Sequence, residues 1–111
     1  MTSISLPGHR GLKAIKLTSI TYLKGCGNYT VFHLTSGKEL MVSQTLKVYA
    51  DLPGFVRISK SIMINKQFVE RIKRVDSKNA FVVSRTGLVL PISRRRIGVI
   101  LDEFRQTGGP E

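Results

Sequence analysis

The chain has 111 residues, 41% of them hydrophobic, which fits one folded domain with a single small core and excludes a disordered tail. Its 18 Lys and Arg against 7 Asp and Glu give a formal net charge of +11; this says nothing about fold but points to an anionic partner, nucleic acid first and an anionic membrane surface second. A single cysteine, Cys26, excludes an internal disulfide and most structural zinc sites, and no apolar run approaches the about 20 residues that span a bilayer.

The predicted elements run in chain order as follows. Ile4–Leu6 reads as a short strand, "PGHRG" as a turn, and Leu12–Ile15 as the returning strand. The opening stretch "MTSISLPGHRG" lacks the apolar core of a secretory signal. Ile20–Lys24 is the next strand, broken by "GCGN", whose glycines and asparagine take positive φ cheaply. Tyr29–Leu34, rich in β-branched and aromatic residues, is a strand, and "TSGK" turns the chain into Glu39–Val42. Ser43 predicts the N-cap of a short helix over "QTLKVYADL", with Leu46, Tyr49 and Ala50 as its apolar stripe and Pro53 as its stop. Phe55–Ile58 and Ile62–Ile64 are extended, and Phe68–Val75 is a strand carrying Arg71, Lys73 and Arg74. "DSKN" turns, and Ala80–Arg85 pairs with Leu88–Ile92 across "TG". Ser93 then caps a terminal helix with Ile97, Ile100, Leu101 and Phe104 at i, i+3, i+4 and i+7; "QTGGPE" is a frayed tail. The order of elements predicts a mainly β domain with local antiparallel connections, one short mid-chain helix and one C-terminal helix.

Catalysis finds little support. His9 falls in a turn and His33 within a strand, and no Cys, His, Asp or Glu cluster has metal-ligand spacing. The seven acids are scattered, which disfavours a paired-carboxylate site, and "GCGNYT" lacks the lysine of a phosphate-binding P-loop. Cys26, between two glycines, reads as a small turn residue before it reads as a redox centre. The chain is expected to be non-enzymatic, with no cofactor and no bound metal.

The basic residues carry more. Arg94, Arg95 and Arg96 stand where the terminal helix begins, at the positive end of its dipole, while Asp102 and Glu103 sit near the negative end. Each such charge costs about 0.3–1 kcal/mol when exposed. A solvated face is the plain reading; an anionic partner at the helix start is the sharper one. Asn can read adenine edges, Arg reads guanine bidentately, and lysines and backbone amides hold phosphates.

Four stretches, in order, resemble the LytTR-type DNA-binding domain of bacterial transcription regulators. A strand enters a "GNY" loop; a segment opens around "SQTL"; Phe55, Arg57, Ser61 and Asn65 match "F-x-R-x-x-x-S-x-x-x-N"; and "PISRR" precedes the terminal helix. The resemblance covers about residues 4–104, with 105–111 as a tail. It implies an elongated arrangement of antiparallel β-sheets whose loops enter two successive major grooves and the minor groove between them. Asn28, Lys60 and Arg94 stand at the three base-contacting positions it implies. Lys24, Tyr29, Arg57, Ser59, Ser93, Arg95 and Arg96 flank them and complete the implied DNA-binding set. Ser59 stands where the family often has histidine. Asn65, and Ser61 with it, also has a plain role in tying turns to backbone, which is favoured for Asn65.

The expected function is therefore a sequence-specific, double-stranded DNA-binding transcription regulator that reads promoter repeats in the cytoplasm. It is expected to be monomeric in free solution, with two copies on DNA, and to act alone or as the output of an upstream receiver domain or sensor kinase. The alternative is a small basic β-rich RNA-binding protein, which would stack unpaired bases on exposed aromatics. The phenylalanines mostly alternate into predicted core positions, which disfavours it.

Overall fold

The computed structural model describes residues 2–8 and 11–106. Strands β1 (Ser3–Gly8) and β2 (Gly11–Lys16) pair antiparallel as a two-stranded sheet. The turn predicted at His9 and the tail predicted beyond Gln106 lie outside the described residues. A five-stranded antiparallel sheet follows, from β3 (Ile20–Cys26), β4 (Tyr29–Leu34), β5 (Glu39–Val42), β6 (Phe55–Arg57) and β7 (Ile62–Asn65), in the order β5-β4-β3-β7-β6. A three-stranded antiparallel sheet is built from β8 (Val69–Asp76), β9 (Asn79–Ser84) and β10 (Val89–Ile92), ordered β10-β9-β8. Helix α1 (Ile97–Gln106) closes the described chain.

The central sheet is apolar on both faces. Side chains alternate along a strand, so residues paired in register share a face. Leu23 and Met63, paired across β3 and β7, enter a first core with Leu6, Phe32, Leu46 and Phe55. One residue on, Tyr22 pairs with Ile64 and Ile64 with Val56, and these point into or against a second core with Ile58, Val82, Ile100 and Phe104. The first core is roofed by β1 and β2, the second by the small sheet and α1. The result is elongated, 47 × 26 × 23 Å.

The mid-chain helix is not formed. Residues Leu46–Tyr49 make a single 3-10 turn, and Ser43 lies ahead of it rather than capping it. The amides of Val48, Ala50 and Leu52 each bond to the carbonyl three residues back. Leu46 and Tyr49, also three apart, are the buried pair. The carbonyl that an α-helix would need at its start, that of Gln44, accepts the Thr30 hydroxyl at 2.8 Å. With Pro53 close behind, there are too few residues to repay helix nucleation.

The terminal helix also starts differently from expectation. Arg94–Arg96 form a 3-10 turn ahead of α1, and the Ser93 side chain makes no capping bond. The Arg96 amide, which a cap would have taken, donates to the Ser93 backbone carbonyl at 2.9 Å. The Ser93 hydroxyl is buried without a hydrogen-bond partner.

Candidate nucleic-acid interface

Lys24, Tyr29 and Arg57 lie on the strands β3, β4 and β6, and three loops beside them carry Asn28, Ser59, Lys60, Ser93, Arg94, Arg95 and Arg96. The first is the two-residue turn Gly27–Asn28 between β3 and β4, closed by the Cys26–Tyr29 pair. Only Gly27 has positive φ, +62°, the pattern of a type II′ hairpin, so glycine is needed there and Asn28 is unstrained. The second loop is residues 58–61, between β6 and β7. The third is the Ser93–Arg96 turn.

Backbone hydrogen bonds join the three side by side. The Gly25 amide donates to the Ser61 carbonyl at 2.7 Å, tying the first hairpin to the second loop. The Ser93 amide donates to the Ile58 carbonyl at 2.8 Å, tying the third loop to the second. Gly25 is small for a reason: a Cβ there would stand 3.2 Å from Leu46 Cβ.

Asn28, Lys60 and Arg94 are exposed, as are Lys24, Tyr29 and Arg95, while Arg57, Ser59, Ser93 and Arg96 are half-buried. Among the described residues, the side chains of Asn28, Lys60 and Arg94 make no hydrogen bond or ion pair. Arg57 behaves differently. Its Nε donates to the Ser59 carbonyl at 3.1 Å and its Nη2 to the Lys60 carbonyl. Burial, and then the neighbouring Arg96 guanidinium, lower its pKa from the ordinary value. The Ser59 hydroxyl accepts the Ser61 amide at 3.3 Å within the loop.

Nothing acidic neutralises these loops from within the sequence. The first acid in the chain is Glu39, and none occurs between Asp51 and Glu70 or between Asp76 and Asp102. Several acids are engaged elsewhere: Glu39 with His33 at 3.4 Å, Asp76 with the Lys78 amide and the Asn79 side chain, and Asp102 with Arg105 at 3.3 Å. Positive charge on linked, exposed loops is the arrangement that binds a polyanion.

Asn65 has the plain role. It is buried, its Nδ2 donates to the Leu17 and Ile20 carbonyls, and its Oδ1 accepts the Gln67 amide. Two apolar clefts of about 280 Å³ flank Pro53, and none of the predicted site residues lines either. Among the described residues no group of three or more His, Cys, Asp and Glu could hold a metal ion. No helix among them is long and apolar enough to cross a membrane.

What sequence reasoning missed is the joinery. The Gly25–Ser61 and Ser93–Ile58 bonds are made by backbone, which carries no residue signature. The bracing by Arg57 had one sequence signal, an arginine immediately before the loop Ile58–Ser61.

Comparison with protein families decides the relationship: the LytTr DNA-binding domain matches residues 10–105. The chain belongs to the LytTR family. This LytTR chain is 28% identical over 94 residues to an uncharacterised response regulatory protein of Yersinia pestis. It is 24% identical to the transcriptional regulatory protein BtsR of Escherichia coli K12. Each alignment covers 83% of this chain and 38% of the relative, so the LytTR chain spans well under half the length of these proteins. Its fold matches a solved LytTr DNA-binding domain from Bacillus cereus with a TM-score of 0.77 at 14% identity, over 92% of this chain and 95% of that one.

Proposed function

We propose that this LytTR domain is the DNA-reading unit of a sequence-specific transcription regulator. Asn28 and Lys60 read base edges from the first two loops, and Arg94 reads from the third. Lys24, Tyr29, Arg95 and Arg96 hold phosphates beside them, with Ser59 and Ser93 close at hand. The carrying observation is that three hydrogen-bonded loops present these three unengaged side chains together, in stretches free of acids. The domain's elongated shape, 47 × 26 × 23 Å, favours contact along a duplex. The conflict at the start of the terminal helix is then relieved: the arginines and free amides there face an anion.

The regulator acts in the cytoplasm without enzymatic chemistry of its own. By analogy with its longer relatives, it takes its signal from a receiver domain or sensor kinase. Single-stranded RNA fits less well, because Phe32, Phe55 and Phe104 are core residues and only Tyr29 stands exposed beside the loops.

Selection of duplexes from a random pool should enrich paired direct repeats. On the selected duplex Arg94→Ala should cost about 1–3 kcal/mol and relax choice at one base position. Lys73, exposed on β8 away from the joined loops, serves as the contrast. Lys73→Ala should weaken selected and scrambled duplexes alike, if at all, lowering the salt slope by about one unit. Titrations across a salt series measure both. Equal loss on both duplexes for Arg94→Ala would reduce Arg94 to a phosphate clamp.

A further inference from the structure

We propose that Arg57 is a positioning residue: it holds the loop between β6 and β7 in the shape that presents Lys60, and acts on DNA only through that loop. The inference rests on the DNA-reading role given to Lys60 above.

The argument is an account of carbonyl groups. Strand β6 is three residues long and its ladder with β7 ends at the Arg57–Met63 pair. The four residues beyond it, Ile58 to Ser61, lie outside the β6–β7 ladder, so their carbonyls need partners elsewhere. Each finds one. The Ile58 carbonyl accepts the Ser93 amide, and the Ser61 carbonyl accepts the Gly25 amide. The two at the apex, Ser59 and Lys60, both accept from the one Arg57 guanidinium. The ends of the loop are thus fixed by its neighbours and the apex by Arg57. The loop mouth is closed by the Ile58 amide on the Ile62 carbonyl at 2.9 Å.

A planar guanidinium suits two successive carbonyls because its Nε and Nη2 donors form a rigid, spaced fork; the three donors of an ammonium share one nitrogen on a flexible stem and do not fix the pair in one geometry. A cation placed half-buried beside Arg96 is also poorly placed if charge alone were wanted. Without the fork, the apex carbonyls turn to water and Lys60 samples many orientations, which must be frozen on binding.

The test uses Arg57→Lys, which keeps the charge and loses the fork, and Arg57→Ala, each alone and with Lys60→Ala. Folding is checked by circular dichroism, and loop order by amide hydrogen exchange in the free protein. Both variants should speed exchange at Ile58 and Ser61 while β3 and β7 keep their protection. Both should weaken the selected duplex by a similar factor, about tenfold, the scale of re-ordering a loop on binding. In the Lys60→Ala background the same replacements should cost less than about twofold, because residues acting through one contact are not additive. Three results would overturn the proposal: Arg57→Lys binding like the unaltered protein, an equal loss in both backgrounds, or unchanged loop exchange. If the unaltered protein fails to prefer the selected duplex, the reading of Lys60 fails instead, and the exchange data alone decide the bracing.

Discussion

Asn65 and Ser93 show how differently two polar side chains can sit in one small protein. Asn65 uses three of its hydrogen-bonding positions on backbone: its Nδ2 donates to the Leu17 and Ile20 carbonyls, the first of which also accepts the Ile20 amide, and its Oδ1 accepts the Gln67 amide. It fastens the start of β3 to the end of β7 from within the first core. Asn65→Ala should therefore cost about 1–3 kcal/mol, since it takes the side-chain donor from the buried Ile20 carbonyl and the acceptor from the Gln67 amide. Chemical denaturation measures it, and a loss under about 1 kcal/mol would mean water replaces the side chain. Ser93 stands at the other extreme, its buried hydroxyl lacking a partner. A true N-cap serine contributes about 1 kcal/mol; Ser93→Ala should instead change stability by less than about 0.5 kcal/mol or raise it slightly. A larger destabilisation in the same assay would restore the capping role that the sequence suggested.

At the scale of the element, the β3–β4 hairpin carries a pH dependence. Tyr22 and His33 pair across it with their rings stacked at 4.0 Å and 6°. Burial lowers the His33 pKa from its ordinary value and Lys24 acts in the same direction, while Glu39 opposes them. The unfolded chain then binds the His33 proton more readily than the folded one. Stability from this group is complete above the unfolded value of about 6.5 and is lost as pH falls below it. Thermal melts on either side of that pH should show the fall, and His33→Gln should flatten it. An unchanged slope in the variant would assign the loss to other groups.

The elements were readable to different degrees. Strands β4 and β5 fall where β-branched and aromatic runs bounded by turn residues place them, and β3 runs two residues further, to Cys26, because only Gly27 and Asn28 are needed to turn. The stretch from Gln44 to Leu52 misled because Leu46 and Tyr49 are consistent with a helix and with a 3-10 turn alike. Their choice was made by Thr30, fourteen residues away, through the Gln44 carbonyl. Of the candidate site, the position of the three loops and the exposure of Asn28, Lys60 and Arg94 were readable by family resemblance. The bonds that place one loop against the next were not, because a backbone amide is the same group at every residue.

For the whole molecule, the decisive feature is one sheet serving two cores. Large hydrophobic residues that remain exposed, among them Leu12, Met41, Val48, Val75, Val89 and Val99, each come from a different element. None of these elements offers the continuous apolar stripe that holds a stable dimer. Sedimentation of the free protein should show a monomer at low micromolar concentration, with two copies assembling on a duplex that carries two repeats. A stable dimer without DNA would contradict this.

The backbone joints between the loops have an evolutionary consequence. A side chain that both shapes a surface and reads a target cannot change without loss of one task. Here the frame at Gly25, Ile58, Ser61 and Ser93 is held mainly by peptide groups, and the outward residues Asn28, Lys60 and Arg94 support none of it with their side chains. On the DNA-reading role proposed for them, those three positions can be exchanged one at a time without touching the backbone joints, and single substitutions should then shift the preferred operator.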